Sequence, residues 1–116
     1  MYLHSEGNDV EMLELSIEEA KKLVDLGAAC QRLATNADFK KIILEGYFVE
    51  EAARLALLSS DPNLSEEIRN HVYRDLAGPG ALKRHLHTIV QRGRIAAEEI
   101  LDHQETLEDM REEGDV

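Results

Sequence analysis

Apolar residues recur three or four positions apart along most of this chain, which is the period of an amphipathic α-helix. The longest such run lies in residues 81–113, where the 3–4 alternation continues across about four heptads. We call it the seam, and its members are Leu82, Leu86, Ile89, Gly93, Ala96, Ile100, His103, Leu107 and Met110. This pattern predicts one long C-terminal helix with a face of the coiled-coil type.

Two helices are predicted in the first half of the chain. Ser16, followed three residues later by Glu19, has the spacing of an N-terminal capping box, so the first helix is expected to begin there and to end near Asn36. A second helix is expected over residues 37–59. Its packing face would comprise Phe39, Ile42, Gly46, Val49, Ala53 and Ala56, widened by Ile43, Tyr47, Leu57 and Leu58.

A short third helix is predicted between two local signals. Asp61-Pro62 is typical of a helix start, because the carboxylate can cap and proline suits the first turn. Gly78-Pro79-Gly80 is typical of a helix stop. The predicted fold is therefore all-α, a bundle of about four helices with a long C-terminal coiled-coil-like helix. Residues 1–15 are expected as a flexible acidic arm, residues 16–113 as a single helical domain and residues 114–116 as a tail.

Composition narrows the class of protein. The 116 residues include no tryptophan, and the one cysteine, Cys30, excludes a disulfide within the chain. The chain has no apolar run long enough to span a membrane. Its first residues are acidic and do not resemble a secretion signal. We expect a protein that is not secreted.

The net charge of −11 argues against broad binding to nucleic acid or to anionic membranes. The charge is unevenly spread along the last helix: Arg84, Arg92 and Arg94 come first, and Glu98, Asp102 and Glu105 follow. This order opposes the helix dipole. An antiparallel second copy that crosses near Ala96 would offset the cost, which predicts a twofold homo-oligomer. A different protein partner, or a solvated acidic end, would explain the same pattern.

The residues expected to contact a partner are the centre of the seam and the charged residues beside it. The seam residues are Leu86, Ile89, Gly93, Ala96, Ile100, Leu107 and Met110. The charged residues are Arg84, Arg92, Arg94, Glu98, Asp102 and Glu105, which would set orientation. The alternative is that the seam packs inside the protein's own core, against the first two helices.

No pattern in the sequence indicates catalysis, a metal or a cofactor. Cys30 lies among apolar residues, which favours a buried, inert thiol. Glu99 and His103 are four residues apart, as are Glu67 and His71, but no second matching pair completes a two-metal centre. Phosphate-binding loops and nucleophile motifs are absent from the sequence. We therefore expect a protein that is not an enzyme.

One segment, residues 39–62, resembles small structural or assembly proteins of tailed bacteriophages. The resemblance is carried by Phe39 before Ile42-Ile43-Leu44, then Glu45-Gly46-Tyr47, Glu50-Glu51-Ala52-Ala53-Arg54 and Asp61-Pro62. It implies a virion component or an assembly factor in the host cytoplasm or the particle, with larger virion or assembly proteins as partners. It implies no activity and no binding residues. The alternative is an acidic regulator that binds and inhibits a host enzyme or a nucleic-acid-binding protein.

Overall fold

The computed structural model describes residues 5–114, which are helical apart from residue 36 and residues 60–65. Helix α1 spans Ser5–Thr35 and helix α3 spans Glu66–Gly114. Between them, helix α2 (residues 37–59) consists of Ala37–Phe39, a π-helical segment Lys40–Glu51 and Ala52–Ser59. The all-α class is confirmed. The described residues form three helices, so the expectation of about four was too high.

Helix α1 begins eleven residues before the predicted start at Ser16, so residues 5–15 of the expected flexible arm are helical. The physical reason is that the 3–4 spacing continues upstream of Ile17. Val10 and Leu13 fall in that register and are half-buried, whereas Ser16 is exposed in the helix interior. Residues 1–4 of the expected arm, and residues 115 and 116 of the expected tail, lie outside the described residues.

The packing face of α2 differs from the predicted one. Ile42, Val49 and Leu57 were expected on that face but are mostly exposed. Ile43 and Tyr47 are half-buried as expected, and Leu55, which was not expected there, is buried. The cause is the π-helical segment Lys40–Glu51, in which each turn contains more residues than an α-helical turn. One face then recurs every four or five residues, so a heptad count selects the wrong side chains.

Helix α3 begins at Glu66 rather than at the predicted Asp61-Pro62. The Ser65 hydroxyl accepts a hydrogen bond from the backbone N–H of Ile68 at 3.2 Å, which caps the helix. The Asp61 carboxylate instead accepts from the backbone N–H of Asn63 at 2.9 Å and shapes the preceding turn.

The predicted stop at Gly78-Pro79-Gly80 is wrong, because α3 continues through it. Proline inside a helix removes one hydrogen bond and costs about 3 kcal/mol relative to alanine. Pro79 is buried, and the absence of a side chain at Gly78 leaves room for the Tyr47 hydroxyl against the helix. Packing of α2 on α3 therefore offsets the local preference to end the helix.

The chain packs as two compact units. The single helical domain over residues 16–113 stays a prediction. The first unit comprises Met1–Ala29 and Ile89–Val116, and the second comprises Cys30–Thr88. In the second unit, Leu55 and Val72 are buried. The Cys30 thiol donates to the carbonyl of Leu86, with sulfur and oxygen 3.6 Å apart.

Candidate interaction surface

In the first unit, α1 and α3 run antiparallel and are in close backbone contact at Gly27 and Gly93. A Cβ atom placed on Gly93 would lie 3.1 Å from the carbonyl oxygen of Leu23 and 3.2 Å from the Cα of Gly27. Ordinary van der Waals contact begins at 3.4 Å, so the two backbones touch here. Near the other end of the pair, Arg111 lies 3.9 Å from the Glu14 carboxylate.

The apolar residues of the two helices follow the same sequence of intervals on moving away from Gly27 and Gly93. Each interval of three or four residues toward the N-terminus of α1 has an equal interval toward the C-terminus of α3. Val10, Leu13, Ile17, Ala20, Val24 and Gly27 therefore lie level with Met110, Leu107, His103, Ile100, Ala96 and Gly93. Every one of these twelve residues is buried or half-buried.

The first unit thus contains a two-helix antiparallel coiled coil, in which the part of the seam from Gly93 to Met110 faces α1. Of the predicted contact residues, Gly93, Ala96 and Leu107 are buried, and Leu86, Ile89, Ile100 and Met110 are half-buried. Ala96 is only 1% exposed. The sequence pattern predicted that a second copy crosses α3 near Ala96. This crossing is possible only if α1 is displaced.

The predicted charged residues lie on the outside of α3. Arg84, Arg92, Arg94, Glu98, Asp102 and Glu105 are all exposed. Among the residues that the structure describes, none of the six takes part in an ion pair within the chain. Their charges are therefore available to a partner.

Apolar side chains remain exposed on both units. Large apolar residues at least 39% exposed are Met12, Leu15, Leu23, Leu26, Leu33, Ile42, Val49, Leu57, Ile68, Tyr73, Ile95 and Leu101. Within the described residues, no large side chain is less than 2% exposed. Each helix buries one apolar face and leaves other apolar positions in contact with water, which is unfavourable unless another molecule covers them.

Three of these exposed residues share one side of the coiled coil. Leu23 and Leu26 flank the buried face of α1, and Ile95 lies between Arg92 and Glu99 on the same side of α3. Leu23 and Glu99 line one groove between the helices, which shows that these flanks face the same way. We call the surface formed by these five residues the lateral face. The sequence carried a signal for Leu26, which lies outside the 3–4 register of Ile17 and Gly27. Leu23, four residues before Gly27, fits that register and gave no such signal.

The groove beside the lateral face contains Glu19, Glu99 and His103, with Leu15, Ser16, Ala20 and Leu23. In the described part of the chain, no cluster of three or more His, Cys, Asp or Glu side chains is arranged to hold a metal ion. The groove is open and carries apolar and acidic groups, a combination suited to contact with protein side chains.

A surface ion pair in α2 shifts the pKa values of both of its members. The Arg54 guanidinium donates to the Glu51 carboxylate, with Nε and Oε2 3.0 Å apart. This hydrogen bond holds the pKa of Glu51 below its ordinary value and raises the pKa of Arg54. The pair is three residues apart on one helix, so it supports the helix locally rather than forming a site.

No family model, curated protein or solved structure matches the chain. No helix among the described residues combines the length and the apolar content needed to cross a membrane.

Proposed function

We propose that this protein is not an enzyme and that it acts by packing its helices against other protein chains, as a bacteriophage virion component or an assembly factor. One observation carries the proposal: large apolar side chains stand exposed on all three helices, while no large side chain in the described region is fully buried. A partner that covers such side chains gains about 1.5–3 kcal/mol for each one fully buried.

The phage setting rests on the resemblance of residues 39–62. In that setting the partners are copies of the chain and larger virion or assembly proteins, rather than nucleic acid or membrane, and the place is the host cytoplasm or the particle. The charge pattern supports protein partners, because the six exposed charged residues of α3 that were expected to set orientation can orient a helix laid beside it.

The experiment is co-expression of the full chain with the products of the genes that flank its own, followed by light scattering on the purified complexes. The result expected is a complex of fixed stoichiometry with one of these products, and detection of the chain by mass spectrometry in purified particles or their precursors. Failure to form any such complex, together with capture of a single basic host enzyme in a defined ratio, would overturn the proposal in favour of the acidic regulator.

A further inference from the structure

From the lateral face we infer that a second copy of this chain docks there, face to face, about a twofold axis that runs across α1 and α3. The inference rests on the proposed function and names one partner and one surface for it. It replaces the self-pairing through Ala96, because α1 occupies that part of the seam.

The exposure of the lateral face supplies the apolar contact. Leu23, Leu26 and Ile95 are 39%, 52% and 54% exposed, although they lie beside a close contact between the two helices. Both backbones are fixed there by the contact between Gly27 and Gly93. The apolar side chains therefore sit on a rigid platform, which keeps the ordering cost of association low.

The charges of the lateral face make it complementary to itself. On α3, Arg92 lies three residues before Ile95, and Glu99 lies four residues after it. A twofold axis that places α3 antiparallel on α3 of the second copy brings each Arg92 to Glu99 of the other copy. An isologous interface requires this exchange, in which one residue contacts another and the contact is repeated in reverse.

The positions of the apolar residues indicate the same position for the twofold axis, independently of the charged residues. In the register set by Gly27 and Gly93, Leu23 lies level with residue 97 and Leu26 with residue 94. The point midway between these two leucines is therefore level with the point midway between Arg92 and Glu99. One axis pairs Leu23 with Leu26 of the second copy, pairs Arg92 with Glu99, and passes within ~0.8 Å of the level of Ile95.

The first test is sedimentation equilibrium of the full chain and two variants, at low salt and over a wide concentration range. Ile95→Glu places two like charges at the axis and is expected to weaken the dimer on the order of a hundredfold. Leu101→Glu is the matched control, since Leu101 is 67% exposed on the same helix but away from the lateral face. Its dissociation constant should equal that of the unmodified chain. Equal weakening by the two variants would overturn the inference.

The second test uses charge reversal. Arg92→Glu alone and Glu99→Arg alone each place like charges at two symmetric contacts, and each should weaken self-association on the order of tenfold. An equimolar mixture of the two variants restores both opposite-charge contacts in the mixed dimer. Recovery of the dimer on mixing, with loss of that recovery at high salt, is expected. Two variants that remain monomeric when mixed would refute the proposed pairing.

Failure of this inference is distinguishable from failure of the proposed function. A chain that stays monomeric at every concentration, yet forms a complex with a co-expressed neighbour, would overturn the twofold docking and leave the proposed function standing. Circular dichroism of each variant checks that its helix content equals that of the unmodified chain, so that a loss of association reports on the surface.

Discussion

Replacement of Gly93 by alanine tests the close backbone contact between α1 and α3. The new Cβ would lie 3.1 Å from the carbonyl oxygen of Leu23 and 3.2 Å from the Cα of Gly27, below the 3.4 Å at which ordinary contact begins. Both neighbours are backbone atoms, so neither can turn away as a side chain would. The helices must separate by a few tenths of an ångström along the part of the pair where the buried residues are smallest.

The expected magnitude combines two opposing terms. Overpacking of this kind costs about 1–3 kcal/mol. Alanine in place of glycine in a helix interior returns about 1 kcal/mol. The net change in the free energy of unfolding should therefore lie between zero and a loss of about 2 kcal/mol.

Gly80→Ala is the matched control, because Gly80 is in the same helix and nothing lies within 4 Å of its added Cβ. This variant should gain up to about 1 kcal/mol from helix propensity alone. Urea unfolding followed by circular dichroism, at one protein concentration, measures both variants. The two should differ by about 1–3 kcal/mol. A Gly93→Ala chain as stable as the Gly80→Ala chain would show that the backbones do not touch in solution.

Three further predictions concern α2. Leu55→Ala removes a side chain that is 4% exposed and should cost about 2–5 kcal/mol of unfolding free energy, whereas Leu57→Ala, at 78% exposure, should change it by less than about 0.5 kcal/mol; equal losses in thermal unfolding would contradict the assigned face. Asn36→Ala removes the oxygen that accepts from the Phe39 N–H at 2.9 Å and should cost about 1 kcal/mol, with Asn36→Asp retaining the cap. The Arg54→Gln change should raise the pKa of Glu51 toward its ordinary value, which carboxyl carbon NMR shifts can measure. Because the pKa of Glu51 is lowered in the folded chain, the ion pair stabilises the fold above the unfolded-state pKa. This stabilisation is lost as the pH falls through the folded-state pKa. An unchanged titration of Glu51 would refute the ion pair.

The long-range periodicity of α3 could be predicted from the sequence because one interval pattern continues through the whole seam. All nine seam positions are buried or half-buried. Which helix packs against the seam could not be predicted, because the heptad pattern is the same whether the packing partner belongs to the same chain or to another. The deciding fact, the contact of Gly27 with Gly93, joins two glycines that are far apart in sequence and that each have a low helix propensity.

The helix boundaries were predicted less well, because the prediction relied on local capping and stop signals, and packing overrides these signals. Pro79 is held inside α3 by burial, and Ser16 caps nothing because Leu13 and Val10 extend the packing face beyond it. The winding of α2 is a different case. No residue type specifies a π-helix, and the spacing of Ile42, Gly46 and Val49 fits an α-helical face equally well.

The glycine pair also determines which alignment of the two helices is possible. A heptad face can slide along its partner by seven residues, a distance of about 10 Å, and still present apolar residues to it. Such a slide in one direction would put Leu86 against Gly27, and in the other direction it would put Ile100 there. Either side chain would hold apart two backbones that now touch. The contact between Gly27 and Gly93 therefore favours the native alignment of the two helices over alignments shifted by seven residues.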